Sequence, residues 1–120
     1  MKLNSKIHGI IDYLVVLFLS ISPALFGLKD ITTIFTYALA AIHFLLTITT
    51  KFELGLIKII PLRIHGIIEL IVSLALISVA FYLGSLEGES SRNFYISFGV
   101  AVFITWLITD YKTSLNKHLA

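Results

Sequence analysis

Residues 6–12 read Lys-Ile-His-Gly-Ile-Ile-Asp, and residues 63–69 read Arg-Ile-His-Gly-Ile-Ile-Glu, 57 positions later. A base, a histidine and an acid therefore recur at matching places near the start of two long apolar runs. Extending the comparison to residues 6–27 and 63–84 gives nine identities in 22 positions: Ile7, His8, Gly9, Ile10, Ile11, Val15, Leu17, Leu19 and Gly27 with their counterparts. Apolar stretches often coincide by chance, so the His-Gly pair and its flanking charges carry the weight. Ionisable groups inside apolar segments are costly and are kept there for pairing or for function.

Working outward, the apolar residues fall into four blocks, 7–27, 31–50, 64–84 and 94–109. A helix rises about 1.5 Å per residue and the hydrocarbon layer is about 30 Å thick, so roughly 20 residues span it. Three blocks meet that length, and Asn93 and Asp110 extend the fourth. Only 13% of the residues are charged, 58% are hydrophobic and the mean hydropathy is +0.97. That is too little charge to cover a water-facing surface, for which about 25% is usual. The pattern predicts an all-α integral membrane four-helix bundle, a single transmembrane domain over residues 1–120. Its plan is two tandem hairpins, residues 6–50 and 63–111, in a parallel internal repeat. The second helices match weakly, but with two extra loop residues Phe44 meets Phe103 and Thr50 meets Thr109.

The charges sort by side. Lys2, Lys6, Lys51, Lys58, Arg63, Lys112 and Lys117 fall at one end of the helices, and only Lys29 and Arg92 at the other. Seven basic residues against two place both termini on the cytoplasmic side. The formal charge of +2 and pI of 9.0 follow from that topology, with no clustered basic face to bind nucleic acid. The absence of cysteine excludes disulfides and thiolate metal sites. The basic, then apolar, start resembles a secretory signal. Asp12 interrupts it, and the internal copy at 63–84 argues that it is retained.

The connections are short. Asp30 is placed to N-cap the second helix, and residues 85–91 have the polar, glycine-containing make-up of an exposed loop. In the linker 51–61, Phe52, Leu56, Ile59 and Ile60 recur at helical spacing, which predicts a short amphipathic helix lying in the interface and ending near Pro61. The tandem two-helix plan, with Ser22-Pro23 near the far end of the first helix, resembles the bacterial SPW-repeat membrane proteins. Ala24 stands where that motif has tryptophan, and the second copy carries Val79-Ala80 in place of Ser-Pro. The resemblance implies a small four-helix, multi-pass protein of the bacterial inner membrane and brings no assigned chemistry with it.

His8 and Asp12 share one face of the first helix, and His65 and Glu69 one face of the third. The second helix adds a small-or-polar stripe, Thr36, Ala40, His43, Thr47 and Thr50, which should face the bundle interior. The fourth contributes Thr105 and Thr109. From the rise per residue, Asp12 and Glu69 lie about 9 Å beyond Lys6 and Arg63, with Thr47 about 6 Å and His43 about 12 Å beyond Lys51. The expected site is therefore a cytoplasm-facing pocket of His8, Asp12, His43, Thr47, His65 and Glu69. Ser20, Ser22, Thr36, Ser78 and Ser97 offer non-aromatic polar groups in the outer half. Tyr13, Tyr37, Tyr82, Tyr95 and Tyr111 read as an aromatic belt, and Pro23 as a kink or stop.

Three functional classes stay open. The pocket can bind or transport a cation, a proton or a small polar solute. Alternatively His8, Asp12, His65 and Glu69 supply four ligands to a divalent metal, with or without enzymatic chemistry. A haem iron between His8 and His65 is the weaker variant, because the acids one turn deeper would need other partners. In the third, the cluster merely fixes helix register in a structural subunit, each acid paired with its own i−4 histidine. No Ser-His-Asp arrangement, phosphate loop or His-Glu-x-x-His motif is present, so enzyme chemistry is not favoured. Beyond the lipid bilayer, the expected partner is a second copy or another membrane protein, met through Ala40, Ala41, Ser97, Gly99 and Ala101.

Overall fold

A computed structural model of the chain describes residues 3–109 and Tyr111; Lys2, Asp110, Lys112 and Lys117 lie outside them. Four helices account for most of these residues: α1 (Ser5–Phe26), α2 (Asp30–Ile48), α3 (Leu62–Glu87) and α4 (Glu89–Ile108). All four are long and apolar enough to cross a membrane. Asn4 starts α1 by accepting the Ile7 N–H at 2.9 Å, and Gly27 ends it in the left-handed region, φ 60°. Pro23 lies in the last turn of α1, which stops three residues later.

Two ends differ from expectation at the far side, where Gly27 and Gly88 lie. Asp30 is the first residue of α2 and makes no cap; the helix is capped from outside, by Glu87 of α3. The Glu87 carboxylate accepts the Ile31 and Thr32 N–H groups at 2.9 and 2.6 Å and the Thr32 hydroxyl at 2.7 Å. Residues 85–91 are no loop either. Ser85, Leu86 and Glu87 complete α3, residues 89–91 begin α4, and Gly88 alone makes the corner at φ 99°, which a side chain would resist.

The linker 51–61 also departs from its predicted helix. Thr50–Lys51 (β1) pairs in parallel with Ile60–Pro61 (β2), and an isolated bridge of the same kind joins Leu3 to Thr109. The Leu56 and Ile57 N–H groups donate to the Ile48 carbonyl at 2.9 and 2.8 Å, tying the loop to the end of α2. Phe52 is drawn out of the predicted apolar stripe into a notch over Gly9, where it is buried. Burying that ring outweighs one turn of exposed helix. Leu56 and Ile59 remain exposed.

The main packing is within the pairs α1/α2 and α3/α4. Leu76, Ala80, Leu83 and Tyr95 form the apolar core of the second pair. Tyr95 is wholly buried, not a belt residue: its ring meets Phe94 and Phe35 edge-on, and its hydroxyl bonds Thr36. Ala40 and Gly99 are likewise spent inside the bundle, leaving Ala41, Ser97 and Ala101 outside. The outward faces are apolar, with Ile10, Leu14, Leu17 and Ile21 of α1 and Ile67, Ile71 and Leu74 of α3 all exposed.

Candidate functional site

One turn of α1 and one turn of α3 face each other across the bundle. Because i and i+4 share a helix face, His8 sits above Asp12 and His65 above Glu69. All four side chains are buried, at 1–4% exposure. Their inner atoms form a ring in which nitrogen and oxygen alternate. Glu69 Oε1 lies 2.9 Å from His8 Nε2 and 2.6 Å from His65 Nε2. Asp12 Oδ2 lies 3.3 and 3.1 Å from the same two nitrogens. One ligand-type atom from each residue can be chosen so that all lie within 4.8 Å of one another.

The outer nitrogens are held by threonines at helix ends. His8 Nδ1 meets Thr109 Oγ1, and His65 Nδ1 meets Thr50 Oγ1, both at 2.7 Å. Each hydroxyl spends its own hydrogen on a carbonyl one turn back, Thr105 and Leu46 respectively, both at 2.6 Å. The threonine oxygens therefore accept, and the histidines donate from Nδ1. In a neutral imidazole this leaves the Nε2 lone pair pointing into the ring.

Around this centre, Tyr111 donates to Glu69 Oε2 at 3.0 Å, and its ring packs on Gly66. Burial, with the Glu69 carboxylate beside it, pushes the Tyr111 phenol well above its ordinary range, so it stays a donor. Phe52 covers Gly9 in the same manner. The two glycines have the same use: without Cβ, each lets an aromatic ring from the segment after a threonine close over the histidines. His43 approaches from α2, its Nε2 3.5 Å from Asp12 Oδ1 and without a hydrogen bond. Asp12 Oδ2 is also without one: it lies near both Nε2 atoms but in line with neither.

Five of the six expected site residues thus meet. Thr47 does not join them: it is buried, and its hydroxyl donates to the His43 carbonyl of its own helix at 2.8 Å. Nor is the centre an open pocket toward the termini, since Phe52, Leu62 and the Ser5–Glu53 bond close that end. The adjoining space is on the other side, a cavity of about 50 Å³ touched by Asp12, His43, Glu69, Phe98 and Thr105. That is room for a water or two. Sequence reasoning missed Tyr111, Phe52 and the anchoring role of Thr50 and Thr109; the pairing of Thr50 with Thr109 in the weak second-helix match was the available signal. A haem does not fit between His8 and His65, whose ring centroids are 5.7 Å apart at 80° with both carboxylates between them.

Comparisons with protein-family models, curated proteins and solved structures yield no match.

Proposed function

We propose that this chain is a multi-pass protein of the bacterial cytoplasmic membrane, built of two tandem hairpins with both termini inside, and that it binds a cation between them. The observation that carries the reading is the buried, alternating ring of two imidazole nitrogens and two carboxylate oxygens, with Asp12 Oδ2 lacking a hydrogen bond from the protein. Two buried carboxylates need positive charge beside them, which two imidazolium rings or one central cation can supply, and the ring has one central place for such an ion.

The tandem plan is supported by contacts that recur at the repeat spacing. His8–Thr109 and His65–Thr50, Gly9 under Phe52 and Gly66 under Tyr111, Leu3 bridged to Thr109 and Ile60 bridged to Thr50 are three such pairs. The exposed apolar faces support membrane insertion, since water-soluble monomers rarely expose so much apolar surface. The Ser22-Pro23 resemblance agrees with that placement. Binding is favoured over conduction because Leu39, Val72, Leu76 and Phe98 form an apolar layer beyond Glu69 and His43.

Equilibrium dialysis of the detergent-purified protein against sodium, calcium and zinc salts, each alone, tests the reading. One of them should bind at one equivalent to the parent and not to a D12N/E69Q double variant. A structural role has one observation in its favour, Glu69 Oε1 joining α1 to α3 through both histidines. It becomes the better account if no cation binds.

A further inference from the structure

Resting on the cation-binding reading, we infer that the cation is a single divalent first-row transition-metal ion of the zinc type. It is held by His8 Nε2, His65 Nε2, one oxygen of Asp12 and one of Glu69.

The donor set points away from the other cations. Magnesium and calcium take all-oxygen shells of six or more ligands, whereas imidazole with carboxylate suits zinc, cobalt, nickel or iron. Zinc bonds to nitrogen and oxygen run about 2.0–2.2 Å, so neighbouring ligands in a tetrahedral site sit on the order of 3.3 Å apart. The two edges to Asp12, 3.3 and 3.1 Å, come close to that spacing; the two to Glu69, 2.9 and 2.6 Å, are hydrogen-bond length, so Glu69 would draw back by roughly half an ångström to admit the ion.

Tautomer and charge agree with this. Ligating histidines usually donate their other ring N–H to an outer partner that fixes the ring, and Thr50 and Thr109 accept those bonds here. A dication balances two carboxylates. Protons on Nε2 alone leave the ring unevenly served: both histidines bond Glu69 Oε1, and Asp12 Oδ2, on a side chain 5% exposed, bonds neither. A central ion satisfies all four atoms at once. His43 stands behind Asp12, at the oxygen facing away from the ring, and is not counted as a ligand.

The test is a cobalt(II) titration of the chelator-stripped, detergent-purified chain, followed by visible absorption, with zinc, magnesium, calcium and sodium as competitors. We expect one cobalt per chain with the intense visible bands of a low-symmetry four-coordinate site, displaced by zinc and indifferent to excess magnesium or calcium. Thr50→Val and Thr109→Val should each weaken binding about 10–100-fold without changing the stoichiometry, and Thr→Ser at either position should restore it. Failure of cobalt and zinc to bind while sodium or calcium does would overturn this inference and leave the cation site standing. Absence of binding by any of these ions to the folded parent would remove both. Stoichiometric cobalt retained by a folded His8→Ala/His65→Ala variant would place the ion elsewhere and overturn the assignment.

Discussion

His8 Nδ1 and Thr109 Oγ1 lie 2.7 Å apart across 101 residues of chain, and this contact fixes which nitrogen of the histidine faces the buried ring. Replacing the hydroxyl by a methyl group keeps the volume and strands a buried N–H. Thr109→Val should therefore lower stability by about 1–3 kcal/mol, measured by thermal unfolding in detergent. Thr50→Val should behave alike, through His65. A variant as stable as the parent would mean that the imidazole has another partner.

The two acids should not be equivalent. With each imidazole protonated at both nitrogens, Glu69 Oε1 accepts from both histidines and Oε2 from Tyr111, whereas Asp12 Oδ2 has no hydrogen bond. Glu69→Gln is expected to cost about 3–5 kcal/mol, as breaking a buried ion pair does, and Asp12→Asn clearly less. Unfolding of the two variants side by side, without metal, decides it; a larger loss for Asp12→Asn contradicts the geometry.

His43 is the least supported member of the cluster, with Nε2 unpaired beside Asp12. His43→Leu removes that group and should change stability by less than about 1 kcal/mol or raise it, since a buried donor or acceptor without a partner is itself a cost. A loss of several kcal/mol in the same unfolding assay would show a bond that the present geometry lacks.

A methyl group at position 9 would overlap the Phe52 ring, whereas at position 66 it would lie 3.1 Å from Tyr111. Gly9→Ala should destabilise by about 1–3 kcal/mol through overpacking, and Phe52→Leu should relieve part of that loss in the double variant. Gly66→Ala should cost less than Gly9→Ala. Additivity of the Gly9 and Phe52 changes would sink the argument.

Glu87 caps a helix 55 residues away from it in the chain. Glu87→Gln weakens and Glu87→Ala removes that cap, so amide exchange should speed up at Ile31 and Thr32 while the middle of α2 stays protected. Unchanged exchange at both amides would indicate a cap supplied by another group.

The helices and the meeting of His8, Asp12, His65 and Glu69 were legible in the chain because helical periodicity and the repeated heptapeptide encode them locally. What escaped was tertiary. Phe52 fits a helical stripe by spacing, and only the absence of a side chain at Gly9, 43 positions earlier, gives it a better place. Asp30 looks like a cap by type, yet Glu87 wins because α3 runs on past the expected loop. Tyr95 sits near a helix end, where tyrosines often meet the interface, but Thr36 gives its hydroxyl an internal partner. In each case a distant residue supplied the deciding contact, and spacing within one segment carries no record of it.

Of the groups that close the terminal end, Phe52 and Glu53 ride on a connecting strap, whereas Leu62 and Ser5 belong to helices. Opening that end asks for the strap to lift, breaking the Ser5–Glu53 bond and withdrawing the Phe52 ring, with the four rods left in register. Access to the ring from that end should then follow strap motion, nanoseconds to microseconds, rather than the microsecond-to-millisecond motion of whole helices.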